Sequence, residues 1–429
     1  MLLRFKIKNF LSFYEETVFD MFPNPKRERF NNHIYTTSPV PLLKQAAIYG
    51  ENGAGKSNFI KAIDFLYHII YQEDFLKNIS WKDYVFLLVE KNNNPISFTI
   101  EIYNKKVYIY EIEISDKLVE RLWISGVGKK ENELVFERNG SKLLYPITQN
   151  TATGDLLAKN PKSSVFPLNK TYPILERNVA IKNFTDWFSL KLEILRVNYE
   201  APRLIKLLSR HSKLFEFTKE ILAKIGIVES ITIKETLWEE WLLDKSNGDL
   251  KKIIAKSLPN NSFDIFASIN NTNVFNILKR RDGQQFIQEL VFTQNGINGF
   301  KKEMPFNLQS YGTQRMLTLI PAIYYAMKEG KVVFIDEIEN SIHPNLIYSL
   351  LHYYSTHKTN GQLIFSTHLT KFLNQQELVR LDEVWNIAKK EGNSYMYSFN
   401  EYNIHNTINI ENGYLDGRYG YTPSKYLNI

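Results

Sequence analysis

Apolar and polar residues alternate along Leu2–Phe19, LLRFKIKNFLSFYEETVF, with a break near Asn9–Ser12. That pattern predicts a strand, a turn and a second strand. Pro23–Pro41 is rich in proline, has no clear period, and reads as a surface loop. Ala46–Tyr49 is a short apolar run of the kind a buried strand needs, and Phe59, Ile60, Ile63, Tyr67 and Ile70 then recur at helical spacing. Further on, Ser97–Tyr103 and Val107–Ile114 alternate on either side of Asn104-Lys105. In the second of these, Tyr108, Tyr110, Ile112 and Ile114 share one face and Glu111 and Glu113 the other. Leu134–Arg138 and Ser141–Tyr145 flank Asn139-Gly140, a strong hairpin signal. An antiparallel sheet is expected over this region.

The pattern dissolves from Gln149 to Thr171, where a loop is expected. Ala180–Ile225 reads as helical, without a sustained heptad, and Thr232–Asp249 and Leu250–Leu258 as weakly helical. Val274–Lys279 and Gln285–Phe292 bracket Asp282-Gly283 as another hairpin. Gly312–Lys328 is predicted as a helix bent at Pro321 and ended by Gly330. Val332–Ile335 is continuously apolar, Asn345–His357 reads as the crossover helix and Gln362–Phe365 as the next buried strand. This is a βαβ unit, whose strands join that of Ala46–Tyr49 in one parallel sheet. Three parts are expected: residues 1–148 and 307–429 as the halves of a nucleotide-binding core, and 149–306 as a largely helical insertion with one hairpin.

Composition narrows the class. Hydrophobic residues make up 44% and charged residues 23% of 429, ordinary values for a globular chain. No apolar run is long enough to cross a bilayer, and the N-terminus reads as a strand rather than a signal peptide, so no membrane association and a cytoplasmic location are expected. With no cysteine, disulfides and thiolate chemistry are excluded. The net charge of +7 permits nucleic-acid binding without requiring it. Its densest clusters, Lys26-Arg27-Glu28-Arg29 and Lys279-Arg280-Arg281, are expected to be solvated surface.

The chemistry sits in Gln45–Asn58, QAAIYGENGAGKSN. Gly50-x-x-x-x-Gly55-Lys56-Ser57, between a strand and a helix, is a P-loop. Glycines let backbone N–H groups turn inward around phosphates, and the helix start adds its positive end. Lys56 supplies a mobile charge and the Ser57 hydroxyl a Mg²⁺ ligand. Gly50, Asn52, Gly53, Ala54, Gly55, Lys56, Ser57 and Asn58 are thus the expected contacts for ATP. Val332–Ile335 ends in Asp336-Glu337, a Walker B pattern. Asp336 can reach Mg²⁺, and Glu337 can take a proton from the water attacking the γ-phosphate. His368, after Ser366-Thr367 at the next strand end, is expected to meet the γ-phosphate. His343 reads as a local hydrogen-bonding group, and Ser310 and Gly312, at a helix start, as an anion site.

RFKIKNFLSF, GENGAGKSN, SYGTQRML, VVFIDEIENSIHP, QLIFSTH and ENGYLDGRYGYTP, in this order, resemble the AAA-type ATP/GTP phosphatase group of ABC ATPases. That group includes ATPase subunits of anti-phage systems of the RloA and PARIS (AriA) kind. It is related to the overcoming-lysogenization-defect nucleases and to the RecF and SMC ATPases. The resemblance implies an ABC/SMC-type P-loop α/β fold with a parallel nucleotide-binding sheet, an appended antiparallel sheet and a helical insertion. It further implies ATP held between two copies, in a sandwich dimer or higher homo-oligomer, with Ser310 and Gly312 facing the partner's nucleotide. Gln309 and Glu339 depart from the group, which usually has an acid before the signature serine and often an aspartate after Walker B. The middle of the chain, from about Phe75 to Pro305, matches only in layout.

The expected function is a nucleotide-dependent sensor or scaffold in phage defence that controls a separate effector, a toprim or HNH nuclease or another toxin, on a phage-encoded trigger. A DNA-repair or chromosome-associated ATPase of the RecF or SMC type is the alternative. The chain is not expected to cut nucleic acid itself: no two aspartates stand two residues apart, and its histidines form no HNH-like cluster.

Overall fold

The structure is a computed structural model that describes residues 1–36, 39–72, 75–126, 131–140, 142–144, 178–195, 201–244, 264–269, 273–280, 282–402 and 409–419. The chain forms two compact units, Met1–Leu195 with Tyr325–Glu339 and Leu350–Ile429, and Arg196–Tyr324 with Asn340–Ser349.

The first unit opens with β1 (Leu2–Lys8) and β2 (Thr17–Asp20), paired antiparallel as the alternation predicts. Asn9 and Leu11 take positive φ at the turn between them. The proline-rich segment carries only the short pair β3 (Ile34–Tyr35) and β4 (Leu42–Leu43). Every residue of β5 (Gln45–Gly50) is buried. It leads into α1 (Lys56–Tyr71), which buries Phe59, Ile60, Ile63 and Ile70 along one side, and then α2 (Phe75–Asn78). The first hairpin is β6 (Ile96–Asn104) and β7 (Lys106–Ile114), hinged on Lys105 at φ 65°. Tyr108, Tyr110, Ile112 and Ile114 are buried.

A strand absent from the sequence reading, β8 (Val119–Ile124), follows. Its inward face includes Glu120, only 2% exposed, beside Leu122, and that buried acid disguises the alternation. Arg138 Nη1 approaches Glu120 Oε2 at 3.5 Å, and the Tyr110 hydroxyl donates to Oε1 at 3.0 Å. β9 (Glu133–Asn139) and β10 (Lys142–Leu144) form the expected hairpin, with Gly140 at φ 61°. The seven strands run β10-β9-β8-β7-β6-β1-β2. The loop expected over Gln149–Thr171 lies outside the described residues. α3 (Val179–Asp186) is capped by Asn178, whose Oδ1 accepts from the Ala180 amide at 2.8 Å. Leu192–Leu195, expected as helix, is instead a strand, β11. A four-residue stretch of three apolar positions around Glu193 fits either state, and here pairing with β17 decides.

The second unit holds α4 (Ala201–Arg210) and α5 (Ser212–Lys224), as predicted. β12 (Ser230–Leu237) corrects the reading of its sequence as weakly helical; α6 (Trp238–Asp244) follows. The alternating β-branched residues Ile231, Thr232 and Ile233 favour the strand once a neighbour is available. β13 (Asp264–Ile269), β14 (Asn273–Lys279), β15 (Gln285–Asn295) and β16 (Lys301–Pro305) complete an antiparallel sheet. The expected hairpin is β14–β15, and Gly283 takes φ 89° in its turn. β15 is long enough for β14 to pair with Gln285–Gln288 and β16 with Val291–Asn295, while β12 pairs along Phe286–Thr293. The segment thus carries a second sheet beside its helices, more than the single hairpin expected. α7 (Tyr311–Tyr324) runs through Pro321 and is mostly buried.

Returning to the first unit, the chain widens into a π-type turn over Tyr325–Glu329 and stops at Gly330, φ 66°. β17 (Val332–Ile335), α8 (Pro344–Thr356) and β18 (Gln362–Ser366) follow as the predicted βαβ unit. β19 (Val384–Lys390) and β20 (Asn393–Ser398) are additions, and α9 (Ile410–Leu415) is the last described helix. Buried Asn386, bonded to the Tyr397 hydroxyl and the Tyr419 carbonyl, hides β19 from a hydrophobicity scan. The sheet order is β11-β17-β18-β5-β19-β20, parallel except for β20. The carboxyl ends of β5, β17 and β18 therefore share one edge of the sheet, the ordinary place for a site in such folds.

Candidate functional site

Gly50 leaves β5 at φ 147°, Gly53 takes 79° and Gly55 122°. A Cβ on Gly50 would strike the Ile387 carbonyl, and one on Gly55 would lie 2.5 Å from Ser394 Oγ and 2.8 Å from Ser12 Oγ. Both positions need glycine for space and conformation together. Ser12 and Ser394, unremarked in the sequence, brace the loop from outside. The Ser394 hydroxyl donates to the Ala54 carbonyl at 2.5 Å, its amide to the Ser12 carbonyl at 2.7 Å, and Asn58 Nδ2 to Ser12 Oγ at 2.9 Å. The signal for Ser12 was the NFLSF segment, which lies apart from the loop in sequence; Ser394 carried none.

Lys56 is buried, and its Nζ donates to the carbonyls of Gly50 at 2.8 Å and Glu51 at 2.9 Å. Burial lowers its proton affinity, against the charges of Asp336, Glu337, Glu339 and Glu51. Glu51 is pushed the other way by burial, above the usual carboxylate range.

Walker B residues meet the next strand through Ser366. The Ser366 hydroxyl donates to Asp336 Oδ1 at 2.6 Å, and the Glu337 amide donates to the same hydroxyl oxygen at 2.7 Å. Glu337 itself sits at φ 48°, a strained conformation for a non-glycine residue. His368 is tied to the same acidic turn, because its amide donates to Glu339 Oε1 at 2.5 Å. Burial, then the Lys56 charge, holds the His368 imidazole below its usual range, so it is neutral at physiological pH. Glu339, which the sequence marked only as a departure, is thus the group that joins Walker B to the histidine.

These pieces surround one cavity of about 360 Å³, lined by Glu51, Asn52, Gly53, Gly55, Lys56, Ser57, Asn58, Glu337 and His368. Gly50, Ala54 and Asp336, expected at the site, are not among the residues that line it. Its residues fit a nucleoside triphosphate with a divalent cation. Nothing lies within 4 Å of where a Gly53 Cβ would be, so that part of the loop is open to a ligand. Four acids around one lysine would repel a polyphosphate unless a cation entered with it. Glu51 Oε1 and Glu339 Oε2 are buried without hydrogen-bond partners among the described residues, which suits such a cation or its water. No cluster of three or more metal-binding side chains occurs among the described residues, so phosphate oxygens would complete any Mg²⁺ shell.

In the second unit, Ser310 Oγ accepts from the Thr313 amide at 3.1 Å and caps α7. A Cβ on Gly312 would lie 2.9 Å from the Ser341 carbonyl. Gln309 is buried, its Oε1 accepting from Gln294 at 2.9 Å, while its Nε2 has no partner among the described residues. His343 Nδ1 accepts from the Asn345 amide at 3.2 Å, the local role expected of it. The terminal ENGYLDGRYGYTP runs past the last described residue, 419.

No curated protein matches this sequence. Among solved structures, an SMC head domain from Thermotoga maritima is similar at 13% identity and a TM-score of 0.40, over 92% of this chain and 98% of that one. An SMC head bound to the C-winged helix domain of ScpA is similar at 14% and 0.44, over 93% and 99%. The family model described as "AAA domain, putative AbiEii toxin, Type IV TA system" matches residues 46–200 and 238–374, which take in the P-loop, Walker B and His368. With a P-loop between β5 and α1 at the carboxyl edge of a mostly parallel sheet, the chain belongs to this AAA domain family.

Proposed function

We propose that the chain binds and hydrolyses ATP with Mg²⁺ and serves as the nucleotide-dependent sensor or scaffold of a bacterial anti-phage, abortive-infection system of the RloA or AriA kind, acting through a separate effector. The convergence of Lys56, Glu337 and His368 on one cavity carries the ATPase part. The family's description, which speaks of a toxin–antitoxin system, and the run of matching motifs support the defence part.

In this reading Ser57 and Asp336 would hold Mg²⁺, which would supply positive charge against that of the phosphates. The loop from Gly50 to Asn58 and Lys56 bind the phosphates. Glu337 orients the attacking water and takes its proton as the bond to the γ-phosphorus forms and the bond to the ADP oxygen breaks. Neutral His368 binds a γ-phosphate oxygen. Ser310 and Gly312 serve a nucleotide on a second copy, and residues 149–306 act as the insertion between two core halves. The effector and a phage trigger are the partners, in the cytoplasm; no described helix is long and apolar enough to cross a membrane.

The test is Glu337→Gln. ATP affinity should stay within about threefold while turnover falls by roughly a hundredfold or more, since an amide cannot take the proton. Lys56→Ala should lose affinity instead. Phage plating on cells that express the chain with its neighbouring genes should show protection by the parent and none by either variant. Turnover by the Glu337→Gln protein near the parent rate would refute the base assignment, and protection without ATP binding would refute the switch.

A further inference from the structure

The basic run Lys26-Arg27-Glu28-Arg29, expected to be ordinary solvated surface, forms one wall of a cavity of about 460 Å³ in the first unit, separate from the P-loop residues. Arg380, Asn400 and Tyr402 line the same cavity. The wall is built rather than draped. Arg380, 2% exposed, makes a two-pronged pair with Asp382, Nε to Oδ1 at 2.8 Å and Nη2 to Oδ2 at 2.7 Å. Its remaining donors hold the carbonyls of Arg29 at 2.5 Å, Phe30 at 3.2 Å and Arg27 at 3.3 Å. Asp382 also accepts from the Asn24 amide at 2.9 Å. Arg380 and Asp382 cancel each other's charge and fix the backbone of the shelf, leaving the shelf's own cations to face the cavity.

Arg27 is the informative one. It is half-buried, and burial lowers its proton affinity, with Arg380 adding to the effect against the nearby Asp382. Its Nε donates to Asn400 Oδ1 at 3.2 Å, a neutral acceptor that sets the plane of the guanidinium. Among the described residues its two terminal nitrogens have no acceptor, and Lys26, Arg27 and Arg29 make no ion pair. Exposed Glu28 is the one acid on this wall, against three bases. A desolvated guanidinium, anchored at one end with its fork free, suits a planar two-oxygen acceptor such as phosphate. Half-buried Phe30 and Tyr402 add aromatic surface, and the volume matches a small-ligand site.

We propose that this cavity binds a nucleotide-sized ligand through its phosphate, held by the Arg27 fork with Lys26 and Arg29 beside it. The ligand is a free mononucleotide or the phosphorylated end of an oligonucleotide; the phosphate chemistry is common to both. This does not rest on the ATPase reading, and its test keeps the two apart. The full chain carrying Lys56→Ala is titrated by calorimetry with inorganic phosphate, AMP and a tetranucleotide with or without a 5′-phosphate. One site per chain should appear for AMP or for the 5′-phosphorylated oligonucleotide, and the stronger of the two names the source. Arg27→Ala should weaken it roughly tenfold or more, and Arg27→Lys should restore only part, because an ammonium cannot bind two oxygens at once. Asn400→Asp keeps Arg27 and the shelf but supplies an internal carboxylate for the fork, and should weaken binding as much as Arg27→Ala. No binding of any of the four probes, or binding that Asn400→Asp and Arg27→Ala both leave unchanged, would overturn the proposal.

Discussion

Glu339 shows how a residue off the motif can govern one on it. Its carboxylate receives the His368 amide and adds negative potential that raises the imidazole's proton affinity, against burial and Lys56. Glu339→Gln keeps an acceptor oxygen and removes that charge, so the His368 pKa should fall further. In the reading proposed above, turnover is lost as pH falls through that pKa and His368 becomes cationic. The acid limb of kcat should therefore move to lower pH in Glu339→Gln, with kcat at neutral pH within about threefold of the parent. Glu339→Ala, which frees the amide, should cost roughly tenfold at every pH. A pH–rate profile of the three proteins checks this; coincident acid limbs would show that Glu339 does not act through His368. Folding has the same sign, since the unfolded chain protonates first. Stability is lost as pH drops below about 6.5 toward the lowered folded value. The P-loop, Asp336, Glu337 and His368 could be read from one sequence because each belongs to a contiguous motif beside a strand end. Ser12, Ser394 and the role of Glu339 could not, because their meaning lies in contacts with residues 46, 340 and 29 positions away, respectively.

Elements were legible where one face is uniformly apolar, as in β5, β6, β7, β17 and β18, or where a turn residue marks a hairpin. They were illegible where a polar group is buried with its partner: Glu120 in β8 and Asn386 in β19. β11 and β12 failed for another reason: both are short or locally ambivalent, and pairing with β17 and β15 settles their state. The Glu120–Arg138 pair makes the cost of a buried polar element measurable. Burial raises the Glu120 carboxyl above its usual range, although Arg138 and Tyr110 oppose the shift. Removing the arginine leaves an acid that must be protonated or stranded, a loss of about 3 kcal/mol or more. Arg138→Met should speed hydrogen exchange across β7–β9, increasingly so as pH rises above the ordinary carboxylate value near 4.5, where the unfolded chain ionises and the buried acid resists. Glu120→Leu with Arg138→Met should recover most of the protection. Equal exchange in the single and double variants would show that the pair adds nothing.

At the scale of the whole molecule, the sequence bears on assembly. One sequence contains a P-loop and, in its second unit, a serine-capped helix start with Gly312 packed against the Ser341 carbonyl. In the reading proposed above, the two serve one ATP held between copies, each binding a different side of it. Glu337→Gln protein with ATP should therefore run as a dimer or larger by native mass spectrometry at micromolar concentration, and Ser310→Arg should keep it monomeric with ATP still bound. Monomers throughout would count against the sandwich. The sheet order carries a consequence of another kind, in time. β5 lies between β18 and β19, and more than three hundred residues separate Gly50 from Gln362. At roughly 5–20 residues per second on a ribosome, the P-loop strand emerges about 15–60 s before either neighbour exists. A nascent chain must shelter for that interval a strand whose 6 residues are all buried in the finished fold. Any message cut short before β18 yields a polypeptide that carries the whole nucleotide motif and has no sheet to hold it.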